Sequence, residues 1–190
     1  MKKIFIFKKE SAIRFLIIFI IICLAAVLRL LPHPPNFTPI TALALFSGLH
    51  LKRKYFFIIP LGTMLISDYF LGFYDWKLMA SVYIGFLIVG ILGFIIKKNK
   101  KASLVVGAGI LGSLAFFLIT NFSFWYFMPF YEKSLFGLAQ TYIMGIPFLK
   151  NAILGDLFYV VTFLGAYELV NVLTKRRFVT SRSHRQKISL

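Results

Sequence analysis

Acidic residues are scarce in this chain: 6 Asp and Glu stand against 22 Lys and Arg in 190 residues, a formal charge of +16. Cysteine is limited to Cys23, inside an apolar run, which excludes a disulfide framework. Ile22 precedes it where a lipid-attachment cysteine needs a small residue. The three histidines, His33, His50 and His184, fall on different sides of the chain or in its tail, so they form no metal cluster. HExxH, GxSxG and Walker A motifs are all missing. The chain therefore does not hydrolyse ATP itself, reads as no enzyme, and calls for no cofactor. The positive charge lies on no basic helix face and in no nucleic-acid motif, which excludes a nucleic-acid partner.

Apolar residues are abundant: 59% of the chain is hydrophobic and 18% aromatic, with a mean hydropathy of +0.84. A soluble domain of this length could not hide so much apolar surface. Long apolar runs alternate with short loops, and every other loop is basic. Lys2, Lys3, Lys8 and Lys9 come first, then Lys52, Arg53 and Lys54, then Lys97, Lys98, Lys100 and Lys101, then the stretch from Lys175 to Lys187. The intervening loops carry only Lys77, Lys133 and Lys150. Lys and Arg resist translocation. The expectation is a polytopic membrane protein, N- and C-termini cytoplasmic, with its aromatic loops facing out. The basic clusters read as topology signals and contacts with the lipid bilayer.

A spanning helix needs roughly 20 apolar residues. The runs predict an all-α domain over 1–174 with six transmembrane helices, at about 13–31, 39–51, 55–73, 77–96, 102–122 and 151–173, and a basic cytoplasmic tail over 175–190. The first run contains Arg29 and ends at Pro32 without a cleavage site, so it reads as a retained helix. The second is short; Thr38 is its expected cap and Pro39 suits its first turn. Residues 123–150 are expected as an outer segment with a separate interfacial helix near 135–146. Small residues four apart, Ala44 with Gly48, Ala108 with Gly112 and Gly109 with Ser113, predict close helix approach.

Ionisable groups at membrane depth need a partner or a task. Arg29, Asp68 and Asp156 are expected at a common level, roughly 3–8 Å below the outer boundary by helical rise. Either aspartate is a candidate partner for Arg29; contact of one carboxylate or Arg29 with a polar solute, and proton or sodium coupling by the aspartates, are the alternatives. The outer loops add Asn36, Thr38, Tyr74, Trp76, Asn121, Trp125 and Asn151. Aromatic rings with amides and hydroxyls suit a planar, partly polar ligand, by stacking and a few oriented hydrogen bonds. Trp and Tyr also collect at membrane interfaces without any ligand.

The segment Arg29-Leu30-Leu31-Pro32-His33-Pro34-Pro35-Asn36-Phe37-Thr38-Pro39-Ile40-Thr41-Ala42-Leu43-Ala44-Leu45-Phe46-Ser47-Gly48 resembles the signature of a family of small, uncharacterised bacterial inner-membrane proteins. Ser67-Asp68-Tyr69-Phe70-Leu71-Gly72-Phe73, Thr120-Asn121-Phe122 and Asn151-Ala152-Ile153-Leu154-Gly155-Asp156 fit the same pattern, over about residues 25–160. That family in turn resembles the substrate-binding S components of energy-coupling factor (ECF) transporters. The resemblance implies a six-helix bundle that binds a vitamin or metal-containing cofactor under the loops after helices 1, 3 and 5. It also implies an energising complex, a transmembrane subunit with ATPases, as partner. S components often dock through Ala-x-x-x-Ala on helix 1; here Ala25 and Ala26 are adjacent instead.

The expected function is uptake of a small organic solute, a vitamin or cofactor precursor, across the bacterial cytoplasmic membrane, with the ten outer residues above from Arg29 to Asp156 holding it. Two alternatives stay open from sequence: a membrane scaffold or assembly protein, and a membrane-embedded enzyme acting on lipid.

Overall fold

The computed structural model describes the backbone of residues 2–53 and 55–188, and the surroundings of side chains at 12–13, 15–53 and 55–174. The basic clusters at 2–9 and 175–187, with Lys54, lie outside the described side chains. The chain is all-α: α1 Lys2–Leu30, α2 Ile40–His50, α3 Ile58–Leu71, α4 Trp76–Ile96, α5 Ala102–Phe127 and α6 Leu135–Ile188. Three helical stretches, α4, α5 and Leu135–Thr174 of α6, are long and apolar enough to cross a membrane. The apolar parts of the others are shorter: Phe15–Leu30, Ile40–His50 and Ile58–Leu71.

Several bounds differ from expectation: α1 begins at Lys2 rather than near residue 13, α5 continues past 122 to Phe127, and α6 continues past 173 to Ile188. Two further differences have clear physical reasons. The predicted break between an interfacial helix and helix 6 is not there, because α6 runs continuously through Pro147. Proline removes one backbone donor and frees one carbonyl. A helix packed against another in an apolar setting tolerates that loss, and α6 is so packed: Gly145 lies against Phe117 and Asn121 of α5. Nor does Thr38 cap α2. Pro39 occupies the cap position with φ −77°, and no side chain bonds the first turn. Proline has no N–H to satisfy there, so the missing cap costs little.

α2 is the centre of the bundle. Every residue from Ile40 to Leu49 is buried, and α2 packs against all five other helices. A helix apolar on all sides is stable only when enclosed. At 11 residues it is about 16 Å long, too short to cross a bilayer by itself. Its tightest neighbour is α4. A methyl at Gly48 would overlap the carbonyl oxygen of Gly90 and approach Phe94 N to 2.7 Å. A methyl at Gly93 would meet the Leu45 carbonyl. The small-residue spacing thus allows backbone-to-backbone contact.

The bundle has two distinct ends. At one, Lys97 Nζ donates to Leu51 O, and His50 Nε2 lies 4.0 Å from Glu168 Oε1. That separation is too long for a hydrogen bond, and Nε2 has no such partner. Lys100 is close to Glu168; burial pulls its ammonium below the ordinary lysine range, and the carboxylate opposes this. At the other end the aromatic loops gather. Asn151 Nδ2 donates to Pro35 O at 3.1 Å, and Lys77 Nζ sits 5.2 Å from the Phe127 ring centroid.

Candidate functional site

Among the described residues two carboxyl groups are almost fully buried, Asp68 at 1% and Asp156 at 2% exposure. They belong to separate polar nodes. In the first, Arg29 on α1 pairs with Asp68 on α3: Nη2 to Oδ1 is 2.5 Å. Nη1 also donates to Ser67 Oγ and, at 3.4 Å, to the Met64 carbonyl. Tyr83 on α4 donates to the second oxygen, Oδ2, at 2.8 Å. Of the two pairings open from sequence, the structure forms Arg29–Asp68. A charge pair at this depth is held by charge-assisted hydrogen bonds on both carboxylate oxygens.

The second node joins three helices. Ser113 Oγ on α5 donates to Asp156 Oδ2 on α6 at 2.6 Å, and Thr41 on α2 hydrogen-bonds the same carboxyl. Arg29 does not reach it. The expected convergence of Arg29, Asp68 and Asp156 therefore does not form, because Asp68, Ser67 and Met64 occupy the guanidinium.

Depth agrees with expectation for one acid and not for the other. Arg29 is one residue from the end of α1 and Asp68 three residues, about 4.5 Å, from the end of α3. Tyr83 reaches that pair from seven residues into α4. Asp156, bonded to Ser113, lies much deeper. Ser113 is near the middle of α5, about 20 Å from Phe127. The α1–α2 loop is recessed too. Asn151 and Gly155 hold Pro35 and Phe37, and Asn151 lies about 24 Å along α6 from Leu135. The α5–α6 hairpin rises beyond the loop and the ion pair.

The other predicted residues divide by what they touch. Tyr74, in the loop over the first node, has its phenol pushed up to about 12, by burial first and then by the Asp68 charge, with Arg29 opposing. Asn36 is exposed and adopts φ 61°, a left-handed conformation that asparagine tolerates. Phe37 N to Pro34 O at 3.0 Å closes that turn. Thr38 is half-buried beside it. Asn121 Nδ2 donates to Phe117 O in its own helix at 2.9 Å. Trp125 Nε1 donates to Glu132 O at 2.8 Å, and Lys133 Nζ donates to Met128 O at 2.7 Å, so that pair fastens the hairpin tip. Trp76 is largely exposed, with Lys77 Nζ 5.9 Å from its ring centroid.

Four partners escaped the sequence reading: Thr41, Ser67, Tyr83 and Ser113. Each is a hydroxyl on a helix, bonded to an ionisable side chain on another helix. Asp75, between Tyr74 and Trp76, caps α4 by accepting from Lys77 N at 2.9 Å and Leu78 N at 3.2 Å. Among the described residues no group of three His, Cys, Asp or Glu is placed to hold a metal.

No curated protein and no solved structure matches the chain. A family model does match, over residues 9–181. The chain belongs to a family of unknown function, DUF6580.

Proposed function

We propose that this protein is an integral membrane carrier that captures a small organic solute at its aromatic end and delivers it to the cytoplasm, in the manner of an ECF S component. The bundle lies in a bacterial inner membrane, with all six helices embedded and both termini inside. The basic loops support that orientation, since Leu51 and Lys97–Lys101 belong to the end opposite the aromatic loops. The observation that carries the reading is the gathering of polar and aromatic groups at one end of the bundle. The Arg29–Asp68–Tyr83 node lies near the ends of α1 and α3 beneath Tyr74, and the α1–α2 loop lies beside Asn151 and Gly155, well along α6 from Leu135. A polar node with exposed aromatic rings beside it suits a vitamin-like or cofactor-precursor solute, fixed by few hydrogen bonds and stacking. Tyr74 and Asn36, both exposed, offer contacts from above. Without a nucleotide-binding motif, inward release uses a partner ATPase complex or tilting of the bundle.

A membrane scaffold is the second reading. It is favoured by the saturation of Arg29 and by the backbone bonds of Asn121 and Asn151. A ligand panel separates the two. Purified protein is titrated with vitamins and cofactor precursors while its thermal midpoint is followed. Uptake predicts that one chemical class raises the midpoint and that Tyr74→Ala with Asn36→Ala removes the rise. A panel without any shift, in protein that remains folded, supports the scaffold.

A further inference from the structure

Asp156 has no task in the reading above. Its two hydrogen-bond partners, Ser113 and Thr41, carry no charge. Asp68 is buried as deeply but has Arg29 at 2.5 Å. Among the described residues no Lys, Arg or His forms an ion pair with Asp156. An uncompensated carboxylate this far from water costs several kcal/mol or more. Charge balance at the centre of the bundle therefore calls for one positive charge that the described side chains do not supply.

The hydrogen bonds point the same way. Ser113 Oγ has one proton and two acceptors in reach, Gly109 O at 3.1 Å and Asp156 Oδ2 at 2.6 Å. Helical serines commonly donate to the carbonyl four residues back. One serine proton serves only one of these acceptors at a time, and a proton on the carboxyl group lets both contacts form together. The titratable groups of the surrounding helices are placed elsewhere. His50 ends α2, Tyr126 is in the last turn of α5, Lys150 and Tyr159 flank Asp156 along α6, and Arg29, Asp68 and Tyr83 form the other node.

We propose that Asp156, Ser113 and Thr41 form a monovalent-cation site whose occupant is an exchangeable proton. One carboxyl group and two hydroxyls suit a proton; Na⁺ has the same charge and is the rival occupant. The site joins α2, α5 and α6, so release of the cation strips the countercharge from the core and favours a rearrangement that admits water. Use of this step to drive solute movement rests on the uptake reading. The site itself does not, and its test needs no solute.

The test uses the purified, solute-free full chain. Thermal midpoints are read from Trp76 and Trp125 fluorescence between about pH 5 and about pH 9, in KCl and in NaCl at equal ionic strength. A ligand bound only by the folded state raises the midpoint. The expected result is a midpoint that falls as pH rises in the wild type, in both salts, and a flat profile in Asp156→Asn. A fall reversed by NaCl alone replaces the proton with Na⁺ and keeps the site. Should Asp156→Asn fail to fold, Ser113→Ala and Thr41→Val are expected to displace the pH midpoint. The wild type is also expected to show a buried carboxyl C=O infrared band that disappears over the same range. Identical pH and salt responses in all variants, with no titrating band, overturn the proposal.

Discussion

Replacing Arg29 by Met removes the cation from the first node and leaves Asp68 with one hydrogen bond, from Tyr83. Two unit charges 2.5 Å apart attract by about 7 kcal/mol at an effective dielectric of about 20. Desolvation of both groups offsets most of that, so the intact pair adds little net stability. Removing one member is different, because the burial cost of the other stays. The Asp68 side chain is 2% exposed, and a stranded partner of this kind costs about 3–5 kcal/mol. Arg29→Met should therefore destabilise the fold by that amount in denaturant titrations in detergent. Adding Asp68→Asn removes the stranded charge and keeps an acceptor for Tyr83. The double variant should recover most of the loss, to within about 1–2 kcal/mol of wild type. A double variant as unstable as Arg29→Met alone would refute the reasoning. So would an Arg29→Met protein of wild-type stability.

Three further outcomes can be checked. Gly48→Ala drives a methyl into the Gly90 and Gly93 backbone, and should cost about 1–3 kcal/mol or more; Gly62→Ala meets nothing within 4 Å and should be neutral or slightly stabilising in the same denaturant series. Asn151→Ala frees the Pro35 carbonyl and should cost about 1 kcal/mol, read as faster hydrogen exchange over 33–39. The Tyr74 phenol is raised to about 12 from 10.0, so its folded-state contribution is complete below the unfolded value and is lost as pH rises through the folded one. The difference between wild-type and Tyr74→Phe phenolate titrations should be one group ionising near pH 12; one near pH 10 would place Tyr74 in open solvent.

The parts of the fold legible in the sequence were those set by long-range patterning. Apolar runs between basic and aromatic loops located all six helices, and Pro39 with Lys52 bracketed the short α2. The misjudged parts depend on tertiary context. Pro147 reads locally as a stop, yet packing against α5 carries the helix through it. Ser113 reads as a small packing residue because Gly109 precedes it by four, while its hydroxyl meets an acid 43 residues away. Arg29 had two candidate acids at similar apparent depth, and spacing could not choose between them. One available signal went unused: Asp75 directly before Trp76-Lys77-Leu78 has the form of a helix cap, and the structure uses it as one.

The two nodes differ in a way that bears on function. The first is neutral as a unit, because Arg29 and Asp68 cancel, and the exposed Tyr74 lies over it. A solute above it would meet no net charge. The second is enclosed by α2, α5 and α6 and opens to no loop that the side-chain contacts identify. In the proposed uptake reading, solute recognition is assigned to the first node and charge balance to the second.

The central claim is capture of a small solute. Native mass spectrometry of the protein extracted in mild detergent tests it most directly. The account predicts a stoichiometric non-lipid mass that is retained by the wild type and lost in Tyr74→Ala with Asn36→Ala. Protein that carries only lipid, both as extracted and after incubation with the solute panel, would contradict it.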